Sequence, residues 1–368
     1  MSIRLLGPTR NAIVKHGRSP VRKYHDYFRA ATPGGVIRIP LASPKVIGVA
    51  TSRGTRSNQE DFYSFATLNL DPEELRASLK RFQRFSHGGS AVSQYLRQEL
   101  HGLFESVKKS DIPELYAWIH ELGGYFKRFR GGALQPWIHD PDNPHVYDLE
   151  ARATQAFFEV DRNVSEVAQS CGATASVALL QSLDATATAP FSAKTVALTV
   201  AHCGDTRILL CSTDSAKVFR MTDKHHADAR VESIRLRRMM GASLITDSFG
   251  ESRLGDLQFK KFGVTPEPEI RTKLLEGNKW AYMVLVSDGV SSILSDDEVA
   301  DLARDAPDPK VAAERILAFV EELGGEDNAT ALVVPLAGWG KITGPDRTKS
   351  LRDYKREQAI GSERHRKM

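Results

Sequence analysis

The sequence predicts an α+β fold in which β-sheets are packed between helical layers, and three observations predict it. Short apolar runs rich in Val, Leu, Ile and Ala recur through the body of the 368-residue chain, each bounded by Gly, Asp, Asn or Pro. Among them stand a few segments whose apolar residues follow helical spacing. No internal repeat or low-complexity tract is present, so strands clustered in sequence with helices on their flanks imply layers of both kinds.

In chain order, the first strand candidate is Lys45–Thr51, and Asp71 to Arg84 reads as a charged helix. Asp148 to about Val167 is a clearer helix, because Leu149, Ala153, Ala156, Phe157, Val160 and Val164 recur on one face. Three strands follow, Thr174–Gln181, Thr195–Cys203 and Arg207–Ser212, and then Trp280–Ser287. Ser295 with Glu298 three residues on makes a capping box ahead of Val299 and Leu302. A helix from about Lys310 to Leu323 stops at Gly324 and Gly325, which suit a C-terminal cap. Thr330–Leu336 is the last strand candidate.

Composition is that of an ordinary globular protein, 41% hydrophobic and 26% charged. No run approaches the roughly 18 apolar residues that span a bilayer. Cys171, Cys203 and Cys211 are odd in number and form no CxxC pair, which argues against a disulfide framework or a cysteine-rich zinc site. Charge is unevenly placed. Residues 1–30 carry seven Lys/Arg against the single acid Asp26, and residues 341–368 carry nine against four. With +4 overall, these ends at +6 and +5 leave −7 for the body between them. A nucleic-acid footprint would put basic charge on the folded body instead, so no nucleic-acid partner is expected. The basic, acid-poor start lacks an apolar signal core and resembles an organellar presequence, which points to mitochondria, with the cytoplasm as the alternative. The expected division is a presequence-like or disordered segment over 1–35, a folded domain over 36–340 and a basic, solvated tail over 341–368.

The informative acids stand where apolar runs stop. Glu60 and Asp61 precede Phe62–Phe65, Asp205 lies between two strands, Asp288 follows Met283–Ser287, and Asp327 comes just before Thr330. Carboxylates at strand ends of a chain that folds back on itself converge into an oxygen-rich cluster, which suits Mg²⁺ or Mn²⁺.

Read in order, these residues and their neighbours resemble the metal-dependent protein phosphatases of type 2C. The matching runs are Arg56–Asp61, His87-Gly88-Gly89, Gly172–Ala175 and Gly204–Arg207, then Glu232–Leu236, Gly255-Asp256 with Phe259-Lys260, Ser287–Gly289 and Asp327–Thr330. The resemblance implies an α-β-β-α sandwich, two central mostly antiparallel β-sheets packed between layers of α-helices. It implies hydrolysis of phosphoserine and phosphothreonine in protein substrates at a centre of two or three metal ions, without a covalent enzyme intermediate, by a monomer. By the same resemblance Arg56 clamps the phosphate, His87 is the general acid, and Glu60, Asp61, Asp205, Asp288 and Asp327 hold metal. The substrates would be mitochondrial phosphoproteins. A catalytically silent domain that binds phosphoproteins or partners is the alternative.

Two departures from the pattern matter. Arg84, Phe85 and Ser86 precede His87, so Phe85 stands where the family has a metal-bridging Asp. The chain before Gly255 is also shorter than the pattern leads one to expect. Without the bridging carboxylate, one weakly held ion is expected, on Asp288, Asp327 and Glu60, with slowed hydrolysis.

Overall fold

Strand β6 shows how this sequence makes its core. Thr195–Cys203 is an almost unbroken apolar run, and every residue after Thr195 is buried, as expected of a strand covered on both faces. The computed structural model describes residues 27–32, 34–68, 70–78, 99–122, 129–165, 172–185, 188–225, 254–255, 257–260 and 264–359. In chain order the strands are β1 (Tyr27–Thr32), β2 (Gly35–Pro40), β3 (Gly48–Ser52), β4 (Gly172–Ala173), β5 (Ala175–Ser182), β6, β7 (Arg207–Ser212) and β8 (Val218–Arg220). They continue with β9 (Leu254–Gly255), β10 (Glu269–Glu276), β11 (Trp280–Val286) and β12 (Ala329–Pro335). The helices are α1 (Pro72–Ser78), α2 (99–106), α3 (Ile112–Glu121), α4 (Leu149–Ser165), α5 (Leu257–Lys260), α6 (Asp288–Ser291), α7 (Asp296–Ala303), α8 (Pro309–Glu322) and α9 (Lys349–Ala359).

Two antiparallel sheets form the centre, a five-stranded one ordered β3-β12-β11-β7-β8 and a three-stranded one ordered β10-β6-β5. Val196, Leu198 and Val200 of β6 pack against Ile208 and Leu210 of β7 and Met283 of β11, which joins the sheets face to face. The other face of the five-stranded sheet buries Val284, Ala331 and Val333 against Val299 of α7 and Ile316 of α8. Ala201, Cys203 and Ile270 on the outer face of the three-stranded sheet meet Phe157 and Val160 of α4. The layers therefore run α-β-β-α, the sandwich expected.

The helices begin and end where the sequence supplies caps. Ser295 and Glu298 make the reciprocal capping box of α7, and Asp308 caps α8 ahead of Pro309. Gly324 leaves α8 at φ +83°, a conformation glycine adopts without strain. In α4, Arg152 is buried but forms a fork on Glu74 of α1 at 2.6 and 2.9 Å. Asp161 accepts from the Lys260 ammonium at 2.8 Å and from the Gly255 amide at 2.6 Å, which ties β9 and α5 to α4. β5 pairs only with β6 among the described residues and stays half-buried along most of its length. Beside it lies a cavity of about 780 Å³, lined by Val177 and Leu179 of β5, Leu285, Leu332, Phe62 and Asp61.

Paired or helical structure is described at both ends of the body. β1 and β2 pair as an antiparallel hairpin from Tyr27↔Pro40 to Thr32↔Gly35, so the boundary expected at residue 35 falls inside a paired ladder. Within the basic segment 341–368, α9 keeps no residue buried but is fastened to the body by Lys355 on Glu298 at 2.8 Å and Arg356 on Glu322. Basic side chains there find acids on the underlying helices, so a charged segment need not be a free one. Among the described residues, Cys203 and Cys211 are buried and not joined in a disulfide. Cys171, Phe85, His87, Asp256 and the run Glu232–Leu236 lie outside the described residues. Among the described residues no helix is long and apolar enough to cross a membrane.

Candidate metal centre

The candidate carboxylates meet where β3, β11 and β12 end side by side. β3 pairs with β12 through Ser52↔Ala329, and β12 pairs with β11 through Ala331↔Val286, so the loop after β3, the start of α6 and the loop before β12 become neighbours. Asn328 fixes that arrangement. Its side-chain NH₂ donates to the carbonyls of Arg53 at 2.9 Å and Asn58 at 3.0 Å, and its Oδ1 accepts the Glu60 amide. One amide thus holds three points of the loop bearing Arg56, Glu60 and Asp61. Gly289 is required here, because a Cβ would lie 2.0 Å from the Asn328 carbonyl oxygen.

Ser287 links the acids to the sheet. Its hydroxyl donates to Asp61 Oδ2 at 2.7 Å and accepts the Thr330 amide at 2.9 Å. Asp288 opens α6 and accepts the Gly289 amide at 2.9 Å. Burial, then the charges of Asp205, Asp61 and Asp327, push the Asp288 carboxyl up to about 7. Burial also holds Asp61 above the usual carboxylate range, against the Ser287 and Thr330 hydroxyls that favour its charged form. Asp205 is buried in the turn between β6 and β7. Arg56 Nη2 donates to Asp327 Oδ2 at 2.7 Å on the exposed rim.

The structure therefore brings together Arg56, Glu60, Asp61, Asp205, Asp288 and Asp327, and leaves His87 outside the described residues. Sequence reasoning overlooked the part played by Ser287 and Asn328, which stand next to the acids in Ser287-Asp288-Gly289 and Asp327-Asn328-Ala329-Thr330. Their position between an acid and an apolar strand was the available signal. Acids forced this close resist ionising together, and a divalent cation relieves that repulsion. The donor atoms are all carboxylate oxygens, which fits a hard divalent cation.

A sandwich of two antiparallel sheets with carboxylates gathered at the strand ends and an arginine on their rim defines a metal-dependent phosphatase. Residues 47–329 match the profile of the family described as protein phosphatase 2C. The chain is 29% identical over 357 residues to "Protein phosphatase 2C homolog 4" of Schizosaccharomyces pombe, covering 90% of each. It is 31% identical over 322 residues to "Protein phosphatase 1K, mitochondrial" of Xenopus laevis, covering 82% of this chain and 71% of the relative. Among solved structures, a phosphatase from a pathogenic strain of Toxoplasma gondii superposes with a TM-score of 0.53 at 15% identity, over 86% of this chain and 95% of that one. The chain belongs to the protein phosphatase 2C family and is a metal-dependent protein serine/threonine phosphatase.

Proposed function

We propose that the protein releases phosphate from phosphoserine and phosphothreonine of mitochondrial proteins, with Mg²⁺ or Mn²⁺ held by Asp288 together with Asp61, Asp205, Asp327 and Glu60. The observation that carries this reading is the convergence of Asp288, Asp61, Asp205 and Asp327 where β3, β11 and β12 end side by side, close enough that burial and the other three acids raise the Asp288 carboxyl. Such crowding is costly for the apoprotein and becomes favourable once a divalent charge sits among the oxygens. When bound, the ions neutralise the phosphate monoester and lower the pKa of a water that attacks phosphorus.

The chain's own groups do the remainder. Ser287 holds Asp61 by one oxygen, and the Asn328 clamp keeps Glu60 and Asp61 at a fixed depth. Arg56, exposed beside Asp327, is placed to turn its guanidinium fork to the substrate phosphate. His87 supplies the proton to the leaving serine or threonine oxygen. A phenylalanine at position 85 offers no oxygen to share between two ions, so one ion is held weakly, through Asp288 and Asp327 with Glu60, and a second position stays largely empty. The mitochondrial assignment is supported by the basic, acid-poor first 30 residues and by the mitochondrial relative. The comparisons give no support to the silent, partner-binding alternative.

The test is manganese-dependent phosphate release from a phosphothreonine peptide, with Asp288→Asn beside the unaltered chain. Release that is lost in the variant supports the assignment. Equal release from both, or none from either with any divalent metal, overturns it. For location, a tagged protein should enter mitochondria and lose that behaviour when residues 1–30 are removed. A cytosolic tagged protein would overturn the location alone.

A further inference from the structure

The three-stranded sheet carries a polar row that the carboxylate centre does not use. Ser176 of β5, His202 of β6 and Glu269 of β10 stand directly opposite one another in the ladders. They occupy the same pleat face as Val200 and Leu198, the face turned toward the second sheet. The chain leaving β8 adds His225, whose ring lies 5.6 Å from that of His202 and is tilted 32° from it. His225 Nε2 is 3.9 Å from Glu269 Oε2. One ligand atom from each of His202, His225 and Glu269 lies within 4.8 Å of the others, and the three side chains are at most 1% exposed.

The surroundings orient these groups as the outer partners of a metal site do. The Ser176 hydroxyl is 2.7 Å from His202 Nδ1, and the ring also hydrogen-bonds the backbone of Asp223 and Gly204, so a cation on this ring would take the place of one of those bonds. Arg271 pairs with Glu269 through Oε1 and reaches Asp223 at 2.9 Å. The Asp223 amide donates to Glu269 Oε2 at 3.2 Å. Two imidazoles and one carboxylate are a borderline donor set that suits zinc far better than the all-oxygen set around Asp288.

We propose that His202, His225 and Glu269 bind one divalent cation of the zinc class, fastening the chain after β8 to the three-stranded sheet. Such a cation steadies the end of β6, and Asp205 follows three residues later in the turn. The proposal does not depend on which ions the carboxylate centre takes.

Cobalt(II) is the probe, because nitrogen-rich sites of low coordination number absorb visible light strongly and six-oxygen sites absorb weakly. Untagged full-length protein, stripped with chelator and titrated with Co²⁺, should develop that absorption and saturate at one equivalent. The native protein should carry about one zinc per chain by elemental analysis. His202→Asn and His225→Gln should each abolish the absorption with the far-ultraviolet circular dichroism unchanged, and Asp288→Asn should retain it. Where a histidine variant does not fold, Ser176→Ala decides: cobalt affinity about 10-fold weaker supports the proposal, and unchanged affinity overturns it. Absent absorption in the folded wild type, or absorption lost in Asp288→Asn alone, also overturns it and leaves a buried hydrogen-bonded trio.

Discussion

In the five-stranded sheet β11 and β12 each have a neighbour on both sides, and Ala331 and Val333 lie sealed against α7 and α8. In the three-stranded sheet β6 is equally enclosed, but β5 is half-buried along its length, with the 780 Å³ cavity beside it. The same contrast runs through single strands. On β12, Ala331 and Val333 are buried, whereas Leu332 and Val334, turned to the cavity, are only partly so. Polar groups follow the packing: carboxylates collect at the closed sheet's ends, and the histidine row sits inside the more open one. Strands paired on both sides, as β11 and β12 are, can hold mutually repelling acids in place.

The contrast can be broken or sharpened by measurement, starting with the largest effect. Ile316→Ala, beneath the closed sheet, should cost about 4 kcal/mol, while Leu332→Ala beside the cavity should cost about 2 kcal/mol or less, because the lost methyls there border space already present. Chemical denaturation of both variants checks this, and equal costs would show the cavity to be filled in solution. Asp288→Asn should lower manganese-dependent turnover by at least about 100-fold, more than the loss of an outer partner such as Ser287, for which about 10-fold is expected. Steady-state kinetics with a phosphothreonine peptide separates the two.

Acidity gives an intermediate effect. The Asp288 pKa is raised to about 7, so the folded chain holds a proton that the unfolded chain has released between about pH 4 and 7. That contribution to stability is present at low pH and is lost as pH rises through about 7. Glu269, raised to about 7 by burial, acts in the same direction, and His202, lowered to about 3, acts oppositely. Thermal unfolding of chelator-treated wild type and Asp288→Asn cancels both, and the wild type alone should lose stability across that window. Added Mn²⁺ should restore it. The smallest effect belongs to the surface: Arg356→Ala removes a half-exposed ion pair with Glu322 and should shift stability by no more than about 0.5 kcal/mol.

Much of this was legible because apolar pattern and turn residues agreed. Thr195–Cys203 and Arg207–Ser212 are strands to the residue, and the Ser295 capping box formed as written. β10 escaped notice because Glu269–Glu276 mixes charge into every second or third position, and its Arg271 and Lys273 are accommodated by ion pairing and by the rings of Phe219 and Trp280. The β1–β2 hairpin escaped because Tyr27–Pro40 straddles the boundary between the basic, presequence-like start and the body. The acids were readable since each interrupts an apolar run. His202, His225 and Glu269 were not, because 23 and 44 residues separate them: sheet register sets His202 opposite Glu269, and the chain after β8 brings His225 to them. A histidine inside the run Thr195–Cys203 was the one sign the sequence offered.

The Arg56–Asp327 contact joins residues 271 positions apart, and β3 finds its partner only in β12 among the described strands. Synthesis delivers the N-terminal part first, so Glu60 and Asp61 wait through most of translation for Asn328 and Asp327. Closing so long a loop is slow even though its entropic cost grows only gently with length. Assembly of the acid basin is therefore a late event, timed by the arrival of the last strand. A nascent or prematurely terminated chain that stops short of Asn328 has none of the contacts that seat the loop, and catalytic competence waits for that segment and the strand that follows it.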